Sequence, residues 1–148
     1  MTTLVEALVG VTRLGFDTAP IIYFVEEHPR YLARLAPAFQ NVAAGQLVGV
    51  TSVLTVAEVL VQPIRLGAAE LQQAYTDRLL HSDHFEAWPI DATVAQRAAE
   101  LRARFNVRIP DALQLATVIV AGCEAFLTND MNLKRVADIR VLLLDELD

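Results

Sequence analysis

The chain has 148 residues, a length suited to one domain that buries a sizeable core, and it carries a formal net charge of −6. Apolar types make up 54 % of it and mean hydropathy is +0.38, high for a soluble domain, so a partner or second copy is expected to cover apolar surface. The lone cysteine, Cys123, lies in an apolar stretch and reads as a buried small residue; it excludes an internal disulfide and a cysteine-based zinc site, and it suits a reducing cytoplasmic location.

The first residues, Met1 to Val11, carry Glu6 and lack a basic head and a small-residue cleavage site, so no signal peptide is expected. No run approaches the roughly 20 apolar residues of a membrane span. A strand over Leu14 to Phe16 leads to helices over about Pro20 to Glu27 and Tyr31 to Ala43, with Gly45 supplying a turn. Leu47 to Thr51 reads as a buried strand, after which Ser52 is placed to cap a helix that Pro63 should stop near Gln62. A helix over Ala68 to Leu80 precedes a third strand, Phe85 to Ile90, and Asp91 is placed to cap a long helix over Ala92 to Phe105. Pro110 opens a helix through Ala121, Ala125 to Thr128 is a fourth strand, Met131 to Ala137 a short helix, and Val141 to Leu144 a closing strand. No repeat or linker divides the chain. Apolar strands alternating with helices point to a single α/β domain whose parallel sheet is covered on both faces, with ligands bound beyond the carboxyl ends of the strands.

Four acids stand out against this frame. Asp17 follows the first strand and can cap a helix or hold a cation at the sheet edge. Glu58 lies within the apolar run Val53 to Val61; either a cation compensates it, or it is protonated, or it sits at the edge of a partly exposed helix. Asp111 follows Pro110 in a first helical turn, where the dipole alone would favour it. Asp130 closes Phe126-Leu127-Thr128-Asn129-Asp130, again a capping position. Taken together, two of them fall at strand ends on one sheet edge, with Glu58 one to two turns beyond a third. A carboxylate set without histidine or cysteine suits Mg²⁺ or Mn²⁺ better than zinc, and metal held this way supports phosphodiester hydrolysis. The negative charge argues against a broad basic nucleic-acid surface, although bound metal would neutralise part of it, and eleven of the twelve basic residues are arginine.

Phe16-Asp17-Thr18-Ala19-Pro20-Ile21-Ile22-Tyr23-Phe24 resembles the opening motif of the PIN-domain family. Ser52 to Val61 with Glu58, Ile109 to Ala116 with Asp111, and Leu127 to Asp130 look like its second, third and fourth acidic motifs, in order. Ala19-Pro20 departs from the commoner Ser-Val, and Leu133 stands where some members carry an aromatic. The resemblance implies a three-layer α/β/α sandwich with a five-stranded parallel sheet, and a Mg²⁺- or Mn²⁺-dependent site formed by Asp17, Glu58, Asp111 and Asp130. It further implies a homodimer and, as in VapC-type toxins, a ribonuclease held inactive by a cognate antitoxin. Thr18, Thr128 and Asn129 become candidates for hydrogen bonds that orient the acids, with capping as the other reading.

Arg102, Arg104, Arg108, Lys134 and Arg135 could contact an RNA backbone or simply form solvated helix faces. His81, Asp83 and His84 read as a solvated helix end, and Trp88 and Tyr23 as core or interface aromatics. The alternative functions are a catalytically silent binding module of the same fold and a solitary non-toxin nuclease. A phosphoryl-accepting enzyme fits less well: Ala19 stands where a dehalogenase-type phosphatase has its second Asp, and Lys134 precedes the last strand instead of following it.

Overall fold

The computed structural model describes residues 2–148. Thr3 and Glu6 form a reciprocal capping box, Thr3 N–H to Glu6 Oε2 at 3.1 Å and Glu6 N–H to Thr3 Oγ1 at 3.2 Å, which starts a short helix α1 (Leu4–Ala7) that the sequence reading did not anticipate. Strand β1 (Arg13–Phe16) then enters the core, followed by α2 (Thr18–Val25), α3 (Leu32–Ala43), β2 (Val48–Ser52), α4 (Val53–Arg65) and α5 (Ala69–Leu80). The rest runs β3 (Phe85–Trp88), α6 (Ala92–Phe105), α7 (Ile109–Val120), β4 (Ala125–Thr128), a 3₁₀ turn at Met131–Arg135, β5 (Arg140–Leu143) and a 3₁₀ turn at Leu144–Glu146.

The five strands are parallel in the order β3-β2-β1-β4-β5. Alternation of side chains divides the core into two layers. Leu14, Phe16, Ala125 and Leu127 face α1 to α5, whereas Val50 and Phe126 face α6 and α7. This is the expected three-layer α/β/α sandwich. Gly15 at the centre of β1 permits its closest contact: a Cβ there would lie 2.7 Å from Val118 Cβ, so the absence of a side chain lets α7 settle directly on the sheet.

Several boundaries differ from the sequence reading. Helix α2 begins at Thr18, because Asp17 caps it and Pro20 sits in the first turn, where no N–H acceptor is lost. Pro63 lies inside α4, which ends at Arg65. The ring is buried, and the helix closes just after it at Gly67, whose φ of +63° suits glycine, so packing offsets the lost bond. Ser52 makes no capping bond; its hydroxyl is directed to α7. Asp91 does cap α6, accepting from Val94 N–H at 3.0 Å. Strand β3 stops at Trp88, the segment after Asp130 is 3₁₀ and not α-helical, and Cys123 is half-buried. Among the described residues no helix is long and apolar enough to cross a membrane.

Candidate functional site

The carboxyl ends of β1 and β4 are neighbours, which brings Asp17 and Asp130 to one edge of the sheet. Asp17 accepts from Thr18 N–H at 2.9 Å through Oδ1 and from the Thr128 hydroxyl at 2.7 Å through Oδ2. Burial pushes its carboxyl above the usual range; the bonds from Thr128, Thr18 and Gln114 pull the other way, and the charge of Asp130 adds to the rise. Asp130 caps the turn that follows it: its Oδ1 accepts from Asn132 N–H at 2.9 Å, and its own N–H donates to Thr128 Oγ1 at 3.1 Å.

Asp111 stands in the first turn of α7. Burial raises its carboxyl, and the charges of Asp17, Asp130 and Glu58 raise it further, with Arg108 opposing; Arg108 Nε lies 3.9 Å from Asp111 Oδ2. All four acids therefore share one electrostatic neighbourhood. Glu58 takes the partly exposed helix edge among its three readings. It is exposed, because α4 leaves an apolar stripe open to solvent, with Val53, Val61, Ile64 and Leu66 also exposed, so no burial penalty has to be offset there. Glu58 Oε1 accepts from the Thr18 hydroxyl at 2.8 Å, which links it to the residue beside Asp17.

The hydroxyls of Thr18 and Thr128 donate to Glu58 Oε1 and Asp17 Oδ2. Asn129 bonds elsewhere. Its amide donates to Tyr31 Oη at 3.1 Å and its oxygen accepts from Asp145 N–H at 3.1 Å, which ties β4 to α3 and turns it away from the carboxylates. Sequence reasoning missed a buried polar knot beneath the acids, formed by Thr51, Ser52, Thr55 and Gln114. The available signal was Gln114 itself, a polar residue in the apolar run Ala112 to Ala116, three positions after Asp111.

Among the described residues no three acidic, histidine or cysteine side chains form a group placed to hold a metal ion. The acids nonetheless offer only oxygen, and burial first, then neighbouring carboxylates, raises Asp17 and Asp111, against hydrogen bonds from Thr128, Thr18 and Gln114 at Asp17 and against Arg108 at Asp111. Mg²⁺ keeps several waters and takes one or two direct carboxylates, so an open set of this kind fits a hard divalent cation. A polar cleft runs beside it, lined by Arg108, Asp111, Asp130, Asn132 and Arg135. Arg135 itself donates to the Phe105 carbonyl at 3.0 Å, and the three basic residues outside the cleft are also partnered. Arg104 pairs with Asp138 at 2.8 Å, Lys134 with Glu146 at 2.6 Å, and Arg102 donates to the Val107 carbonyl at 2.8 Å.

The family model for the PIN domain matches residues 16–139, from the end of β1 to beyond Asp130. The chain belongs to the PIN domain family. Solved structures similar to this PIN domain include VapBC2 from Rickettsia felis bound to a DNA fragment from its promoter, at 18 % identity and TM-score 0.71, covering 89 % of this chain and 98 % of that one. A toxin–antitoxin complex from Klebsiella pneumoniae matches at 22 % identity and TM-score 0.67, covering 88 % and 97 %. VapC20 from Mycobacterium tuberculosis, a toxin that cleaves the sarcin-ricin loop, matches at 16 % identity and TM-score 0.66, covering 86 % and 98 %. No curated protein matches the chain significantly.

Proposed function

We propose that this PIN domain is a Mg²⁺- or Mn²⁺-dependent endoribonuclease, the toxin of a type II toxin–antitoxin pair, acting in the cytoplasm as a homodimer. The observation that carries the reading is the convergence of acids from distant parts of the chain on one sheet edge: Thr128 Oγ1 bonds to both Asp17 Oδ2 and the Asp130 N–H, Thr18 beside Asp17 donates to Glu58, and Asp111 lines one cleft with Asp130. Such an arrangement costs free energy until a cation joins it. The toxin–antitoxin complexes among the similar structures support the antitoxin partner, and the exposed Val61 and Ile64 of α4, with Leu66 just beyond it, offer apolar surface for a protein partner to cover.

Asp17, Asp111 and Asp130 would hold the cation, Asp17 most firmly because Thr128 and Thr18 N–H fix its rotamer, with Glu58 at the exposed side. Bound there, the metal would supply water activation and neutralise charge on the phosphodiester. Arg108 and Arg135, along the cleft, would bind substrate phosphates flanking the acids and set the strand's path. A catalytically silent binding module is the second reading, favoured by the absence of a closed three-ligand group.

The deciding measurement combines Mn²⁺ titration calorimetry with cleavage of a single-stranded RNA, in wild type and Asp17→Asn. Metal binding and cleavage in the wild type, both lost in the variant, are expected. A folded wild type that binds no Mn²⁺ and leaves RNA intact would return the chain to the binding-module reading.

A further inference from the structure

Gln114 is 3 % exposed and stands on α7 one turn beyond Asp111, surrounded by side-chain oxygens. The Ser52 hydroxyl donates to its Oε1. Its Nε2 lies 2.6 Å from Thr55 Oγ1, 3.2 Å from Thr18 Oγ1 and 3.5 Å from Asp17 Oδ1. Turning the amide over would set its oxygen against three other oxygens, one of them a carboxylate, so the hydrogen-bond pattern fixes its orientation.

The protons of the knot can then be assigned in order. A hydroxyl has one proton, and that of Thr18 goes to Glu58 at 2.8 Å, because the carboxylate can only accept. Thr18 Oγ1 must itself accept, and its neighbours are Gln114 Nε2 and Thr55 Oγ1, the latter 2.9 Å away. Thr55 in turn accepts from Gln114. The direction of the whole relay, from Ser52 through Gln114 and the two threonines to Glu58, is set by the amide N–H groups of one residue.

We propose that Gln114 is a positioning residue that holds Asp17 and Glu58 in register with Asp111 for a divalent cation. The proposal rests on the metal-nuclease reading above. Its geometric basis is that the three acids come from three elements, the end of β1, α4 and α7, and Gln114 reaches the first two from the third. Partners one step behind metal ligands typically govern affinity or activity by about 10- to 100-fold.

The test uses Gln114→Met, which keeps length without polarity, and Gln114→Glu, which keeps an acceptor for Ser52 but has no N–H to donate. Thr117→Val on the same helix is the control, since its hydroxyl bonds only to the Leu113 carbonyl, at 2.7 Å. Mn²⁺ affinity by calorimetry, thermal midpoint, and kcat and KM on single-stranded RNA are measured for each. Both Gln114 variants are expected to bind Mn²⁺ about 10- to 100-fold more weakly and to lose kcat with KM unchanged, while the control keeps its affinity. Folded Gln114 variants with wild-type Mn²⁺ affinity and kcat would overturn the proposal and leave the nuclease reading standing. A wild type that neither binds Mn²⁺ nor cleaves RNA would overturn that reading and the proposal together. If neither Gln114 variant folds, Thr18→Val cuts the relay at its solvent end, and the same pair of opposite results decides.

Discussion

The hydroxyl of Thr128 donates to Asp17 Oδ2 at 2.7 Å, tying the last residue of β4 to the first residue beyond β1. The same oxygen accepts the Asp130 N–H at 3.1 Å, so one threonine aligns two acids from adjacent strands. This alignment holds a negative charge where burial opposes it.

Asp17→Asn should therefore separate stability from function. A buried carboxylate whose pKa is raised destabilises the folded state when ionised, and its cost is largest well above that pKa. Removing the charge should raise the thermal midpoint at pH 7 in chelator, and Mn²⁺ should no longer stabilise the variant as it does the wild type. Cleavage should fall by at least about 100-fold. Thermal melts in EDTA and in Mn²⁺, paired with an RNA cleavage assay, test all three effects. A variant less stable than wild type in chelator would show that the charge is not the strained element.

Gly15→Ala tests the seat of α7. The added methyl would lie 2.6 Å from Val118 Cγ1 and 2.7 Å from its Cβ, and a β-branched side chain has no rotamer that moves Cβ away. Overpacking of this kind costs about 1–3 kcal/mol. Because Asp111 and Gln114 ride on α7, the variant should lose Mn²⁺ affinity as well as stability; denaturant unfolding and calorimetry measure the two losses. Unchanged unfolding would mean that the sheet and helix separate readily.

Legibility from sequence followed the physics of each element. The three central strands were readable because they are short, mainly apolar runs largely buried on both faces, and Asp91 was readable as a cap because its role is local. The surroundings of Glu58 stayed open between three readings for the opposite reason. An apolar helix looks buried in sequence, but whether Val61 and Ile64 meet a core or solvent depends on what lies outside them. Ser52 and Gln114 are 62 positions apart, and nothing local to either announces that one hydroxyl will leave its helix terminus for the other's amide. The hydrogen bonds that run from Ser52 through Gln114 to Thr55 and Thr18, and from Thr18 to Glu58, were not legible.

Asp138 gives the acid limb of stability. It accepts from Arg97 at 2.7 Å and from both terminal nitrogens of Arg104 at 2.8 Å and 3.1 Å, and these guanidinium groups, Arg104 foremost, hold its carboxyl below the usual range. With the folded value depressed, its contribution is fully present above the unfolded value and disappears as pH falls through the folded one. Asp138→Asn should cost about 1 kcal/mol at pH 7 and nothing near pH 2, flattening the stability profile between them. Urea unfolding across that range measures it. Equal losses at both ends would indicate a packing effect instead of a charge effect.

On the proposed function, the two cleft arginines would bind the RNA backbone. Arg108 is 78 % exposed at its side chain and meets Asp111 only at 3.9 Å, while Arg135 keeps its position by donating to the Phe105 carbonyl at 3.0 Å. Both line the cleft that contains Asp111 and Asp130, and the chain's net charge of −6 leaves few other cationic surfaces for a polyanion. Each phosphate contact to a single strand adds about 0.7 to the slope of log affinity against log salt. Arg108→Ala and Arg135→Ala, introduced into the inactive Asp17→Asn background so that RNA survives, should each reduce that slope by about this amount and weaken binding uniformly across sequences. Lys134→Ala is the contrast, since its ammonium is already held by Glu146, and its slope should stay at the parental value. Fluorescence anisotropy over a salt series reads all three, and a slope that falls only for Lys134→Ala would move the RNA path off the cleft and toward Lys134.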